Sequence, residues 1–84
     1  MEKNVMVVLI STRREVAVKV QQVLTDYGCI IKTRLGIHDG VLDKCSEVGL
    51  VMLELVGSEK EINELNDKLA IIKGVSAKLV KLSL

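Results

Sequence analysis

Proline, phenylalanine and tryptophan are absent from this 84-residue sequence, and Tyr27 is its one aromatic residue. That leaves no platform on which single-stranded bases could stack. An excess of either charge is missing as well: 12 basic against 11 acidic residues give a formal net charge of +1. A dedicated nucleic-acid binder carries a marked basic excess, so direct contact with nucleic acid is not expected. The apolar run near the N-terminus, Val5–Ile10, is short and closely followed by Arg13 and Arg14. It is too short for a signal peptide or a membrane span, which predicts a cytoplasmic protein without membrane contact. Cys29 and Cys45 are then expected as thiols. The residue sets of an active site are also lacking. There is no nucleophile with a base and an orienting partner, no close carboxylate pair in a plausible cleft, and no glycine-rich phosphate loop. The expectation is a non-enzymatic protein without a cofactor.

What is present is aliphatic. With 49% hydrophobic and 27% charged residues and no proline, the composition argues against disorder. The length suits a single domain over residues 1–84. A domain of this size buries roughly 60–65% of the surface its unfolded chain exposes. Its core must be built from Val, Leu, Ile and Met.

Hydrophobic periodicity divides the chain into six elements. Val5–Ile10 is a β-branched-rich run that reads as a strand apolar on both faces. Thr12 and Glu15 have the spacing of a capping box, and Val16, Val20, Val23, Leu24 and Tyr27 form one helical stripe. This predicts a helix from about Arg13 to Tyr27, closed by Gly28 with positive φ. From Cys29 the period becomes two, placing Ile31, Leu35 and Ile37 on one face of a half-polar strand with Cys29 and Thr33. Asp39–Glu47 is a polar loop, long for a hairpin. Gly49–Gly57 is a third strand, apolar except for Glu54. Ser58 and Glu61 repeat the capping-box spacing before Ile62, Leu65, Leu69 and Ile72, so a second helix spans about Glu59 to Lys73, ahead of Gly74, which is also expected with positive φ. Val75–Leu82, bearing Lys78 and Lys81, is the last strand. Each half of the chain thus holds an aliphatic strand, a capped helix and another strand, a weak internal repeat.

The order βαββαβ predicts an α+β ferredoxin-like sandwich. Its single antiparallel sheet is expected in the order 4132, with both helices on one face. The first and third strands should lie together at the centre, and the crossover rule is read as making this pair parallel. The lysine-bearing strands fall at the edges.

A one-sided helical layer leaves the other face of the central strands in water. On the third strand Leu50, Met52 and Val56 share that face. An apolar patch of several hundred Å² is the size that marks an interaction site. The expected partner is a second copy of the chain, giving a dimer or tetramer through Leu50, Met52 and Val56. Glu54 lies on the same face, where Lys32 or Arg34 should pair with it across the hairpin. Two further sites are candidates. Ser11, Thr12, Arg13 and Arg14 open the first helix, where free N–H groups and two guanidinium groups favour an anion. His38 ends the second strand and is expected near the same boundary. His38 with Cys45, which Lys44 could acidify, is an alternative metal- or redox-responsive pair completed across an oligomer interface.

Several segments together carry a likeness: Arg34-Leu35-Gly36-Ile37-His38, Cys45, Gly49-Leu50-Val51-Met52-Leu53-Glu54-Leu55, and Gly74-Val75 before a lysine-bearing strand. Over about residues 5–82 the chain resembles the small family of assigned regulators of iron-only hydrogenase systems in anaerobic bacteria. It is also similar to the C-terminal domain of the nickel-responsive repressor, whose histidine and cysteine ligands only His38 and Cys45 could match. The resemblance implies an ACT-like domain, which pairs through its sheets and often senses small molecules. The function expected is therefore a regulatory module that self-associates and binds a small anionic ligand or a regulatory protein partner. The alternative is a metal- or redox-responsive sensor using His38 and Cys45.

Overall fold

β1 runs from Glu2 to Ser11, extending beyond the aliphatic run at both ends. The computed structural model describes residues 1–11, 13–37 and 48–84. Thr12, the Asp39–Glu47 loop, His38 and Cys45 lie outside the described residues. The remaining elements are α1 (Arg14–Asp26), a 3₁₀ turn (Gly28–Ile30), β2 (Ile31–Ile37), β3 (Val48–Leu55), α2 (Glu59–Ala70) and β4 (Val75–Ser83). The sheet order is β2-β3-β1-β4, as the element order predicts.

Every strand pair is antiparallel, including the central β1–β3 pair, which corrects the expected parallel arrangement. The reason is directional. The crossover through α1 returns the chain parallel to β1 as β2, and the following reversal sends β3 back against both. The right-handed crossover rule therefore governs β1 with β2, which are not neighbours.

Both helices pack on one face. Met6 and Val8 of β1, Leu53 and Leu55 of β3, Val16, Val20 and Leu24 of α1, and Ile62, Leu65 and Leu69 of α2 are buried together. Each fully buried aliphatic side chain contributes about 1.5–3 kcal/mol. The helix faces follow from spacings of three and four residues, and the strand face from alternation. Ile30 joins this core from the 3₁₀ turn.

The helix ends differ. At α2 the capping box forms as predicted: the Glu61 N–H donates to Ser58 Oγ at 3.1 Å, and the Ser58 N–H donates to Glu61 Oε1 at 3.4 Å. At α1 the N-cap is Arg13, with no side-chain cap. Glu15 is thus the second helical residue, one short of the position a capping box needs. The backbone N–H of Arg13 instead reaches Ser11 Oγ at 3.4 Å. Gly28 also departs from expectation: it opens the 3₁₀ turn, and the positive-φ glycines are Gly57 (103°) and Gly74 (93°) among the described residues.

β2 contains a register shift between Ile31 and Thr33, which pair with the consecutive residues Leu55 and Glu54. The extra residue, Lys32, is a β-bulge that breaks the period of two. Ile31 consequently packs on the core while Leu35 is 55% exposed, so they do not share a face. At the far end of β1 the termini meet: the Leu84 N–H donates to the Met1 carbonyl at 2.9 Å, and the Met1 ammonium to the Leu84 carbonyl at 3.3 Å.

A Cβ on Gly57 would come within 2.9 Å of Ile30 Cγ2, and one on Gly74 within 3.3 Å of Ser11 Cβ and Val16 Cγ2. Gly57→Val and Gly74→Val should each cost about 1–3 kcal/mol, because crowding adds to left-handed strain. Gly28→Ala, with nothing within 4 Å, should stay within about 0.5 kcal/mol of the parent. Urea denaturation checks the contrast; equal losses at Gly28 and Gly74 would contradict the assigned backbone.

Candidate functional site

The uncovered face of the sheet is set by register. Val5, Val7 and Leu9 of β1 stand opposite Glu54, Met52 and Leu50 of β3. On the other side they meet Val80, Lys78 and Ser76 of β4. Thr33 and Leu35 of β2 continue the row from Glu54 and Met52. Leu50 and Met52 are where the sequence places them and remain partly open to solvent. Val56 lies one residue beyond β3, 43% exposed, with its N–H donating to the Ile30 carbonyl at 2.8 Å. It belongs to the rim of the patch. Leu9 (45%) and Leu35 (55%) extend the patch in ways that β3 alone did not show.

One carboxylate interrupts this aliphatic surface. Glu54 Oε2 accepts from Lys3 Nζ at 3.0 Å, and Lys32 Nζ stands at 3.9 Å. The expected cross-hairpin lysine is therefore present, but the direct hydrogen bond comes from β1. Arg34, the other expected partner, is on the helix side, where its guanidinium donates to Gln21 Oε1 of α1 at 2.9 Å. Lys3 was legible only through the β1–β3 register, which sets it two residues from Val5, the neighbour of Glu54. The Lys3 hydrogen bond holds the Glu54 carboxyl below its ordinary pKa; partial desolvation opposes it, and the charges of Lys3 and Lys32 reinforce it. A second pair lies at the edge of the helical layer, where Lys81 Nζ of β4 meets Glu59 Oε1 of α2 at 2.7 Å.

At one end of the sheet the uncovered face runs into an open hollow of about 970 Å³. Arg13, Lys19 and Lys73 contribute cations, Ser11 and Ser76 hydroxyls, and Glu15 a carboxylate. Leu9, Val16, Val48 and Val75 form its aliphatic wall. Of the residues expected to hold an anion, the structure brings Ser11 and Arg13 to this hollow. Arg14 is not in its lining, and Thr12 and His38 lie outside the described residues. Lys19 and Lys73 went unread because they come from separate elements that only the tertiary fold brings together. Cys45 also lies outside the described residues, and Cys29 is an exposed free thiol. Among the described residues no three of His, Cys, Asp and Glu are grouped to hold a metal. No described helix is long and apolar enough to cross a membrane.

A sequence model of the TM1266-like family, described as "Iron-only hydrogenase system regulator, putative", matches residues 3–79. No curated protein matches the chain. Among solved structures, TM1266 of Thermotoga maritima superposes with a TM-score of 0.84 at 23% identity, covering 99% of this chain and all of that one. The nitrogen regulatory PII-like protein CPII of Thiomonas intermedia K12, bound to ADP, AMP and bicarbonate, gives 0.57 at 9% identity, covering 100% and 96%. A formyltetrahydrofolate deformylase of Pseudomonas putida gives 0.58 at 11% identity, covering 93% of this chain but 28% of the enzyme. At such identities these likenesses describe the fold.

The ion pair on the uncovered face has a consequence in pH. A carboxyl whose folded-state pKa is depressed stabilises the fold fully above its unfolded value and loses that contribution as pH falls through the folded one. Side-chain ¹³C titration should find Glu54 below the usual glutamate range, and Lys3→Met should move it back up. An unchanged Glu54 titration in Lys3→Met would show that the hydrogen bond is not the cause.

Proposed function

We propose, from the premise that this chain belongs to the TM1266-like family of iron-only hydrogenase system regulators, that it is a non-enzymatic regulatory module working as a sheet-paired oligomer. The observation that carries this reading is the uncovered sheet face. Val5, Val7, Leu9, Leu35, Leu50, Met52 and Val80 form a contiguous aliphatic surface on the side away from both helices. Apolar patches of this kind on small domains usually mark an interaction site. A second copy presents the same surface, so a two-fold arrangement buries both at once. A regulatory protein partner is the competing occupant, distinguished by the oligomeric state of the isolated chain.

The hollow supplies the regulatory half of the proposal. Ser11, Thr12, Arg13, Arg14 and His38 are the residues assigned to a small anionic ligand, with Arg13 the charged member at the hollow. Leu9 and Ser76 belong both to the uncovered face and to the hollow, so a copy docked on the face would border the ligand. Ligand and assembly would thereby influence each other, which is how a module without chemistry of its own can report a metabolite. The anions held by CPII, whose fold is related, are in keeping with this reading. A cytoplasmic location accompanies it.

Sedimentation at micromolar concentration should give a dimer or tetramer of the 9.2 kDa chain. Met52→Lys should shift it towards monomer, because burying an unpaired ammonium costs more than burying the methionine side chain gains. A monomer throughout that range in the parent would overturn self-association.

A further inference from the structure

We infer that the hollow at the end of the sheet takes a phosphate monoester with a short apolar body, and that Lys19 and Lys73 share its charge with Arg13. This rests on the anion reading above and narrows it to one chemical class. The three cations come from two parts of the fold: Arg13 from the N-cap of α1 and Lys19 from the second turn of the same helix, and Lys73 from the segment between α2 and β4. Among the described residues the ion pairs are Lys3–Glu54, Lys32–Glu54 and Lys81–Glu59, so none of these three cations has a carboxylate partner there. Among the described residues Glu15 is the one acid in the lining, which leaves the hollow two charges positive. Like charges gathered around one space repel, and a bound dianion relieves that repulsion at the point where it is strongest.

The framework beneath these side chains is fixed. The Ser11 N–H donates to the Gly74 carbonyl at 2.9 Å, fastening the end of β1 to the turn that carries Lys73. The joint is tight enough that a Cβ at Gly74 would already crowd Ser11 and Val16. Ser11 and the backbone beside Lys73 are therefore held together before any ligand arrives, which lowers the ordering cost of binding.

The lining also selects among anions. A monocarboxylate would leave one positive charge unmatched, and a polyphosphate would bring more negative charge than the lining balances. A phosphate monoester carries about −1.5 to −2 at pH 7 and presents three acceptor oxygens to the three cations that line the hollow. The Ser11 and Ser76 hydroxyls add donors, and Leu9, Val16, Val48 and Val75 offer an aliphatic wall to the rest of the molecule. The volume of about 970 Å³ lies within the range of small-molecule sites, about 300–1,000 Å³.

The test is isothermal calorimetry of the full chain with hexyl phosphate and heptanoate at pH 8 and matched ionic strength. These probes share an apolar tail of similar length and differ in headgroup charge. Hexyl phosphate should bind at least about tenfold tighter, the equivalent of one additional charge-assisted hydrogen bond. Lys19→Gln and Lys73→Gln should each weaken hexyl phosphate by about tenfold and heptanoate by less. Lys60→Gln, on the first turn of α2, should change neither, and circular dichroism establishes that each variant folds. If heptanoate binds as tightly as hexyl phosphate and both are lost in Arg13→Gln, the anion reading stands and the phosphate assignment is overturned. If hexyl phosphate binds unchanged in Lys19→Gln and Lys73→Gln, the assignment of these lysines is overturned. If neither probe binds, the anion reading falls with it.

Discussion

A single helical layer has to serve a sheet whose two central strands are aliphatic on both sides. With no phenylalanine or tryptophan available, packing on the covered side relies on interdigitated Val, Leu, Ile and Met from β1, β3, α1 and α2. Met6, Leu53, Leu65 and Leu69 are fully enclosed there. The described residues provide no third layer to place over Val5, Val7, Leu50 and Met52. Their partial exposure is thus a consequence of having two helices, both on one side. The aliphatic surface and the hollow both lie on or beside that unfinished side.

The polar features are arranged around the same asymmetry. Glu54 interrupts the aliphatic surface but is answered by Lys3 and Lys32 as a hydrogen-bonded cluster at one end, while Lys78 borders the middle of the patch from β4. At the other end the charges are unanswered, and there the sheet opens into the hollow. Arg13, Lys19 and Lys73 face a common space without carboxylate partners among the described residues. Paired charges at one end and unpaired cations at the other give the face a direction, which constrains how a second copy or a ligand could meet it.

Sequence reasoning reached the strand order, both helices and the capping box of α2, because alternation, helical spacing and the Ser58–Glu61 pair are local signals. It failed where structure depends on events between elements. Gly28 looks like a helix stop, yet α1 passes through Tyr27 into a 3₁₀ turn; the expected left-handed glycine holds at Gly74, and Gly57, packed against Ile30, supplies the other. The bulge at Lys32 leaves no compositional trace, so Ile31 and Leu35 read as one face and are not. The parallel reading of β1 and β3 misapplied a rule that relates β1 to β2. At the hollow, Arg13 and Ser11 were visible because they adjoin the start of a helix. Lys19 and Lys73 were not, since they stand in different halves of the sequence and meet only through the fold.

The hydrogen-bonded meeting of Met1 and Leu84 gives the molecule a polarity of another kind. β1 starts beside those termini and ends at Ser11, on the hollow, so its full length separates the two. Ten residues of strand span about 33 Å. An affinity handle or a fused reporter attached at either end would project from the same corner, remote from the hollow. A short peptide bridging Leu84 to Met1 would close the backbone into a ring without stretching it, allowing the chain to be reopened at another surface turn. The fold is thus open to circular permutation, a rearrangement in which β1 and β4 would become consecutive in the chain while remaining the same neighbours in the sheet.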